Sequence, residues 1–207
     1  MAMIAGVGMH SHAEREHDFY ATPPEAVHSL LSIESKWLPN GTIWEPACGD
    51  GAIAEVLKGA GHNVVCSDIV DRGYSGARVM SAFDADSTYQ FPAIMTNPPF
   101  KLARQFVDLA LARAPYVAML LRLSFLEGTA RKPWFAMTPL ARVHVASRRL
   151  PMMHRNGWAG PKAGSAVCYA WFVWDRRHEG RPIVQWFDWR DHVAANDNKD
   201  LLGRVAV

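Results

Sequence analysis

The sequence is poor in the features that mark secreted, metal-bound or membrane-spanning proteins. Its 207 residues hold three cysteines, Cys48, Cys66 and Cys168, and no C-x-x-C pair. That spacing supports neither a zinc site nor a disulfide framework. No apolar run approaches the ~18–20 residues that span a bilayer. At the N-terminus, His10, His12, Glu14, Arg15 and Glu16 interrupt any signal-peptide core. The histidines have no metal-ligand spacing, and there is no internal repeat or low-complexity tract. These absences predict a cytoplasmic protein with neither a metal nor a membrane partner.

Strong charge of one sign is also missing, since the net charge is +2. The balance hides an asymmetry. Residues 1–100 carry 5 Lys/Arg against 12 Asp/Glu, a net of −7, whereas residues 101–181 carry 14 against 4, a net of +10. Residues 182–207 carry 3 against 4. A basic half interleaved with Trp134, Trp158 and Trp171 is the pattern of a nucleic-acid partner, against the plainer reading of a solvated cationic surface.

Length and pattern predict one α/β domain over residues 17–191, with a loose leader at 1–16 and a polar tail at 192–207. Pro23-Pro24 opens a helix, with Thr22 in the N-cap position and Glu25 in its first turn. Strands are expected at Thr42 to Trp44, Asn63 to Ser67, Ala77 to Met80 and Ala93 to Thr96. Further strands follow at Val117 to Phe125, Ala141 to Ser147 and Ala166 to Trp174. Ile183 to Phe187 is a candidate extra edge strand. Helices lie after the glycine turn, through Ile53, Val56 and Leu57, and at Leu102 to Ala112. Alternation of strand and helix gives a doubly wound, mostly parallel seven-stranded sheet. The last two of the seven strands have no helix between them and can pair as a hairpin, making one edge antiparallel.

Two short motifs carry the chemistry. In Glu45-Pro46-Ala47-Cys48-Gly49-Asp50-Gly51, glycines sit where a strand hands over to a helix and let the backbone turn sharply against a ligand. Asp68 ends the second strand 19 residues after Gly49, the place of an acid that binds ribose hydroxyls. The acids Glu45 and Asp50 disfavour phosphates and suit a ligand bearing ammonium and sulfonium charge. The plainer alternative is a tight turn with Asp68 capping a helix. The second motif is Asn97-Pro98-Pro99-Phe100. An exocyclic amino nitrogen on a base is flat, delocalised and poorly nucleophilic. An Asn oxygen and a backbone carbonyl can each accept one of its N–H groups and localise the lone pair. Proline fixes this geometry, and Phe100 offers a face for a flipped base. In this order the two motifs predict methyl transfer from S-adenosylmethionine to a nitrogen.

These residues resemble the class I S-adenosylmethionine-dependent methyltransferases. The form of the first motif, with Thr22-Pro23-Pro24 before it, resembles the small phage- and prophage-type DNA adenine amino-methyltransferases. Ala170-Trp171-Phe172-Val173-Trp174-Asp175 is similar to their late strand. The resemblance implies Glu45 and Gly49 near the methionine moiety and Asp68 on the ribose. Pro46, Ala47, Gly51, Ile69 and Asn97 complete the implied cofactor set. Thr22 and Tyr20 would close the methionine end, and Asp84, in competition with Asp86, would meet the adenine amino group. Asn97, Pro98, Pro99 and Phe100 would act on the target base. DNA, duplex or locally unpaired, is the implied partner, with Lys101, Arg131, Lys132, Arg155, Trp158 and Lys162 as candidate contacts. Trp158 can equally anchor its loop. The loops 127–139 and 151–165 are short for a target-recognition segment, which implies little sequence specificity. An RNA base methyltransferase and a catalytically silent nucleic-acid-binding subunit are the competing readings. Oligomeric state stays open.

Overall fold

A computed structural model describes residues 21–152 and 167–192. The predicted contacts Tyr20, Arg155, Trp158 and Lys162 lie outside these residues. Strands β1 (Thr42–Glu45), β2 (Asn63–Asp68), β3 (Ala77–Val79), β4 (Ala93–Thr96), β5 (Tyr116–Arg122), β6 (Leu140–Ala146), β7 (Tyr169–Asp175) and β8 (Ile183–Phe187) form one sheet. Its order is β3-β2-β1-β4-β5-β7-β6-β8. β1 to β5 pair in parallel, β7 runs antiparallel between β5 and β6, and β8 lies parallel to β6 at the edge. The candidate edge strand is therefore present as an eighth strand, and the expected antiparallel element is β7.

Helix α1 (Pro24–Glu34) begins with a proline whose fixed φ suits the first turn and whose missing N–H is no loss there. Its N-cap residue is Pro23, and no side chain caps the helix. The expected capping role of Thr22 is thus corrected: its hydroxyl is engaged elsewhere, as described below. Helix α2 (Ala52–Gly59) starts from Gly51 at φ 83°. A Cβ on Gly51 would lie 2.5 Å from the Tyr74 ring, so only glycine fits. The helix stops in a Schellman turn, with Gly61 N–H on the Lys58 carbonyl and His62 N–H on that of Leu57. Helix α3 (Ala103–Arg113) follows the second motif. A short helix α4 (Arg131–Ala136) occupies the segment that sequence pattern reads as a loop.

Strict alternation along buried β5 splits the core in two. Val117, Met119 and Leu121 face α3 with Ile94, Phe106, Phe172 and Trp174. Tyr116, Ala118 and Leu120 face α1 and α2 with Ile43, Met95, Trp171 and Val173. Trp171 is fully buried and donates from Nε1 to the Ala26 carbonyl at 2.9 Å, while Trp134 is 5% exposed and donates to Asp108 Oδ1 at 2.8 Å. Neither ring can stack on a base. The interleaving of tryptophan with positive charge, read as a nucleic-acid signal, is for these two residues a property of the core. Part of the basic excess is internal too, because Arg113 and Arg142 are buried.

Candidate active site

The carboxyl ends of β1, β2 and β4 open into a cavity of about 360 Å³. Both sequence motifs reach it. Glu45, Pro46, Ala47, Asp68, Ile69, Thr22, Asn97 and Pro99, all predicted site residues, line it together. The motifs are joined by bonds that no local pattern reveals. Asn97 Nδ2 donates to Thr22 Oγ1 at 3.1 Å, across 75 residues of sequence. Thr96 Oγ1 donates to the Ala47 carbonyl at 3.5 Å. The first bond ties the Asn97 amide to the segment that precedes α1.

The glycine turn is held by Asp68. Its Oδ2 accepts from Gly49 N–H at 2.8 Å and its Oδ1 from Val70 N–H at 2.9 Å. The carboxylate therefore ties the turn after β1 to the turn after β2. Each oxygen keeps a second lone pair, so the same group can also accept from a ligand hydroxyl. The two readings of Asp68, capping and ligand binding, are compatible in one geometry. Gly49 takes φ 57°, a left-handed conformation that places its N–H against this carboxylate.

Glu45 is 1% exposed, and its Oε2 has no hydrogen-bond partner among the described residues. Burial pushes its carboxyl well above the ordinary range, and the Cys66 sulfur, Asp50 and Asp68 add to the push against the Ala54 backbone N–H. A buried carboxyl with one oxygen unsatisfied, beside a cavity, is costly unless a ligand cation meets it.

Phe83 and Ile69 give the cavity an apolar rim. They are 45% and 62% exposed. Phe83 is held edge-on against Phe106 of α3, with ring centroids 5.1 Å apart, and its N–H is capped by Ser81 Oγ at 3.2 Å. Sequence reading placed Asp84 here and missed Phe83. Asp84 is exposed and does not line the cavity. The available signal was an apolar residue beside an acid in the turn after β3, too common to single out.

Phe100 opens a 3-10 turn (Phe100–Leu102) that leads into α3. Pro98 beside it is buried. Lys101 lines the cavity and is exposed. Among the predicted nucleic-acid contacts, Arg131 is committed internally. Its Nη1 donates to the carbonyls of Ser124, Phe125 and Glu127, and its guanidinium sits 4.7 Å from the Phe125 ring centroid. It anchors a loop. Lys132 beside it is exposed. Among the described residues no group of three or more His, Cys, Asp or Glu could hold a metal. No described helix is long and apolar enough to cross a membrane.

A parallel sheet with one antiparallel strand inserted beside β5, and a cavity at the carboxyl ends of β1, β2 and β4, make this a Rossmann-like methyltransferase fold. Among solved structures it is similar to the type I restriction-modification system methyltransferase subunit from Streptococcus thermophilus, at 12% identity and a TM-score of 0.61. That match covers 90% of this chain and 53% of the subunit, so the chain spans about half its length. It is also similar to a candidate RNA methyltransferase from Pyrococcus horikoshii, at 13% identity and a TM-score of 0.58, covering 74% and 85% of the two chains. A candidate class I S-adenosylmethionine-dependent methyltransferase from Listeria monocytogenes matches at 10% identity and a TM-score of 0.56, covering 89% and 70%. No protein-family model matches this chain, and no curated protein does.

Proposed function

We propose that this protein transfers a methyl group from S-adenosylmethionine to the exocyclic N6 amino group of adenine in DNA. The observation that carries this reading is the shared cavity, lined by the buried Glu45 carboxyl with its unsatisfied Oε2 and by Asn97 held by Thr22. The donor set fits the cofactor. Glu45 would meet the methionine ammonium, Asp68 the ribose hydroxyls, and Ile69 and Phe83 the two faces of the adenine. When bound, S-adenosylmethionine would supply an already electrophilic methyl group, its sulfur keeping the S–C electron pair as the thioether S-adenosylhomocysteine while the target nitrogen gives up one N–H proton to solvent. The protein's task is to orient the target nitrogen. The Asn97 carbonyl and the Pro98 backbone carbonyl each accept one N–H, which draws the lone pair out of the ring and keeps it aimed. Phe100 supports the base by its face. Positioning and local electrostatics do the catalytic work. The likeness to a restriction-modification methyltransferase subunit supports DNA as the substrate.

The deciding experiment incubates the purified protein with tritiated S-adenosylmethionine and, in parallel, with DNA, ribosomal RNA or a glutamine peptide. The DNA is then digested and its nucleosides are separated. Label in N6-methyladenosine of the deoxy series is expected. Label confined to RNA or to the peptide, or no label at all, overturns the proposal.

Glu45 gives a separate expectation. Its raised carboxyl is ionised by a ligand ammonium, so cofactor binding should release protons. S-adenosylhomocysteine, which carries the same ammonium, should bind with a heat that depends on the ionisation enthalpy of the buffer. The sign follows from the shift: in the ligand-free protein the acid's folded value lies above its unfolded one. Stability is then greatest below the ordinary Glu range and declines as pH rises through the folded value. Glu45→Gln should remove both effects, weaken ligand binding about tenfold or more (~1.4 kcal/mol), and leave the free protein at least as stable at neutral pH. Buffer-independent heats with wild type would contradict this role.

A further inference from the structure

Arg122 ends β5, one strand from the Asn97 motif, and its surroundings differ from those of most described arginines in the basic half. Arg142 is paired with Glu34 and Asp175, Arg177 with Asp175, and Arg148 with Asp188. Arg113 and Arg131 donate to backbone carbonyls. The Arg122 side chain makes no hydrogen bond or ion pair with any described residue, and its Nε is buried without a partner. Instead its guanidinium carbon lies 4.6 Å from the centroid of the Phe100 ring. Phe100 in turn meets Tyr169 with centroids 5.7 Å apart, and Tyr169 is the cross-strand partner of Arg122 on β7. The three side chains form one cluster at the carboxyl ends of β4 and β5, beside the cavity.

A half-buried guanidinium with no counter-charge among the described residues is a poor final state for a folded protein. One face is satisfied by the ring. Its remaining donors suit an anion that accepts two parallel hydrogen bonds, such as a phosphate. We propose that Arg122 is a positioning residue for the nucleic acid. It binds a phosphate flanking the target nucleotide while holding the Phe100 ring at the angle the base requires. This inference rests on the proposed methyl transfer to a nucleic-acid base and extends it by naming the residue that registers the backbone against the site.

The test uses full-length wild type, Arg122→Ala and Arg122→Lys. Binding of a fluorescein-labelled oligonucleotide, single-stranded and duplex, is followed by anisotropy across a salt series, alongside steady-state methylation. Arg122→Ala should weaken oligonucleotide binding and raise KM for DNA about tenfold or more, with kcat within a few-fold. Its log–log salt slope should be shallower than wild type by roughly 0.9, the value for one lost phosphate contact. Arg122→Lys should restore the slope, since a charge is present, but recover KM only in part, because an ammonium cannot stack flat on the ring. Affinity for S-adenosylhomocysteine and melting temperature should be unchanged in both. An unchanged salt slope in Arg122→Ala, or a loss confined to stability or cofactor affinity, overturns the role of Arg122 while leaving the methyl transfer intact. A wild type that neither binds nor methylates nucleic acid overturns both.

Discussion

Asn97→Ala is expected to lower methyl transfer by on the order of 10²-fold or more while binding of S-adenosylhomocysteine stays within a few-fold of wild type. The expectation comes from how the amide is held. Thr22 accepts from its Nδ2, so the side chain is already held before any substrate arrives. A group preset in this way needs no reorganisation when the target nitrogen becomes pyramidal, and the whole bond is realised at that moment. Alanine removes the acceptor and leaves the backbone of the proline pair unchanged. Rates are to be measured with tritiated cofactor under single-turnover conditions, and affinity by calorimetry. Thr22→Ala should show a smaller loss of the same kind, since the amide remains but is no longer oriented. Activity of Asn97→Ala within a few-fold of wild type would remove Asn97 from the chemistry. Equal loss of activity and cofactor affinity would instead place it in the binding of cofactor.

Glu34→Ala is expected to cost about 3–5 kcal/mol of stability, the range for removing one partner of a buried ion pair. Glu34 is the last residue of α1 and is fully buried. Its carboxylate accepts from Arg142 Nε at 2.7 Å, from Arg142 Nη2 at 2.9 Å and from the Tyr116 hydroxyl at 2.9 Å. His144 Nε2 lies 2.6 Å from its Oε1. Arg142 Nη2 also donates to Asp175 Oδ2 at 3.3 Å, and Arg177 closes the network on Asp175. One side chain thus pins the end of α1 to β5 and β6, and through Arg142 to β7. Without it, Arg142 keeps its charge inside the fold with only Asp175 to oppose it. For a chain of this size the loss corresponds to roughly 6–20 °C in melting temperature. Because α1 is the continuation of Thr22-Pro23, cofactor affinity should fall as well.

The same network makes stability depend on acid. Burial pushes the Glu34 carboxyl up, but its bonds to His144 and Arg142 outweigh burial and hold it below the ordinary range. For Asp175, too, burial works upward and the bonds from Arg177 and Arg142 prevail. Carboxylates with lowered folded values stabilise the protein above their unfolded range, and that contribution is lost as pH falls through the folded values. Urea unfolding at neutral pH and below about pH 4 should therefore show a steep loss in wild type and a shallower one in Glu34→Gln. Similar acid slopes in the two proteins would show that the network does not control acid stability.

Much of the site was legible because its signals are local. Gly49 and Gly51 adopt backbone conformations that other residues enter only with strain, so they announce the turn wherever they stand. Period-two patterning and strand length located the sheet, and the Asn97-Pro98-Pro99-Phe100 motif carries its rigidity in its own prolines. Phe83 was missed for the opposite reason: an apolar residue in a turn gains meaning only when Phe106 braces it from another element. Trp134 and Trp171 misled because residue type and neighbouring charge say nothing about which side of the sheet a ring faces.

Sequence order and spacing were enough for the class of fold, the position of the glycine turn beside the cavity, and the rigid motif that follows β4. That is so because dihedral preferences and side-chain periodicity act over a few residues and leave a trace in order and spacing. The packed fold was needed to show that Thr22 bonds Asn97 instead of capping α1, that Arg131 is tied to loop carbonyls and Arg142 is internal, and that Arg122 rests on Phe100. Each of those outcomes depends on which groups meet across tens of residues once both faces of the sheet are covered. Burial then charges every polar group for the water it loses, and the partner that repays that loss is chosen by the packing of the whole molecule.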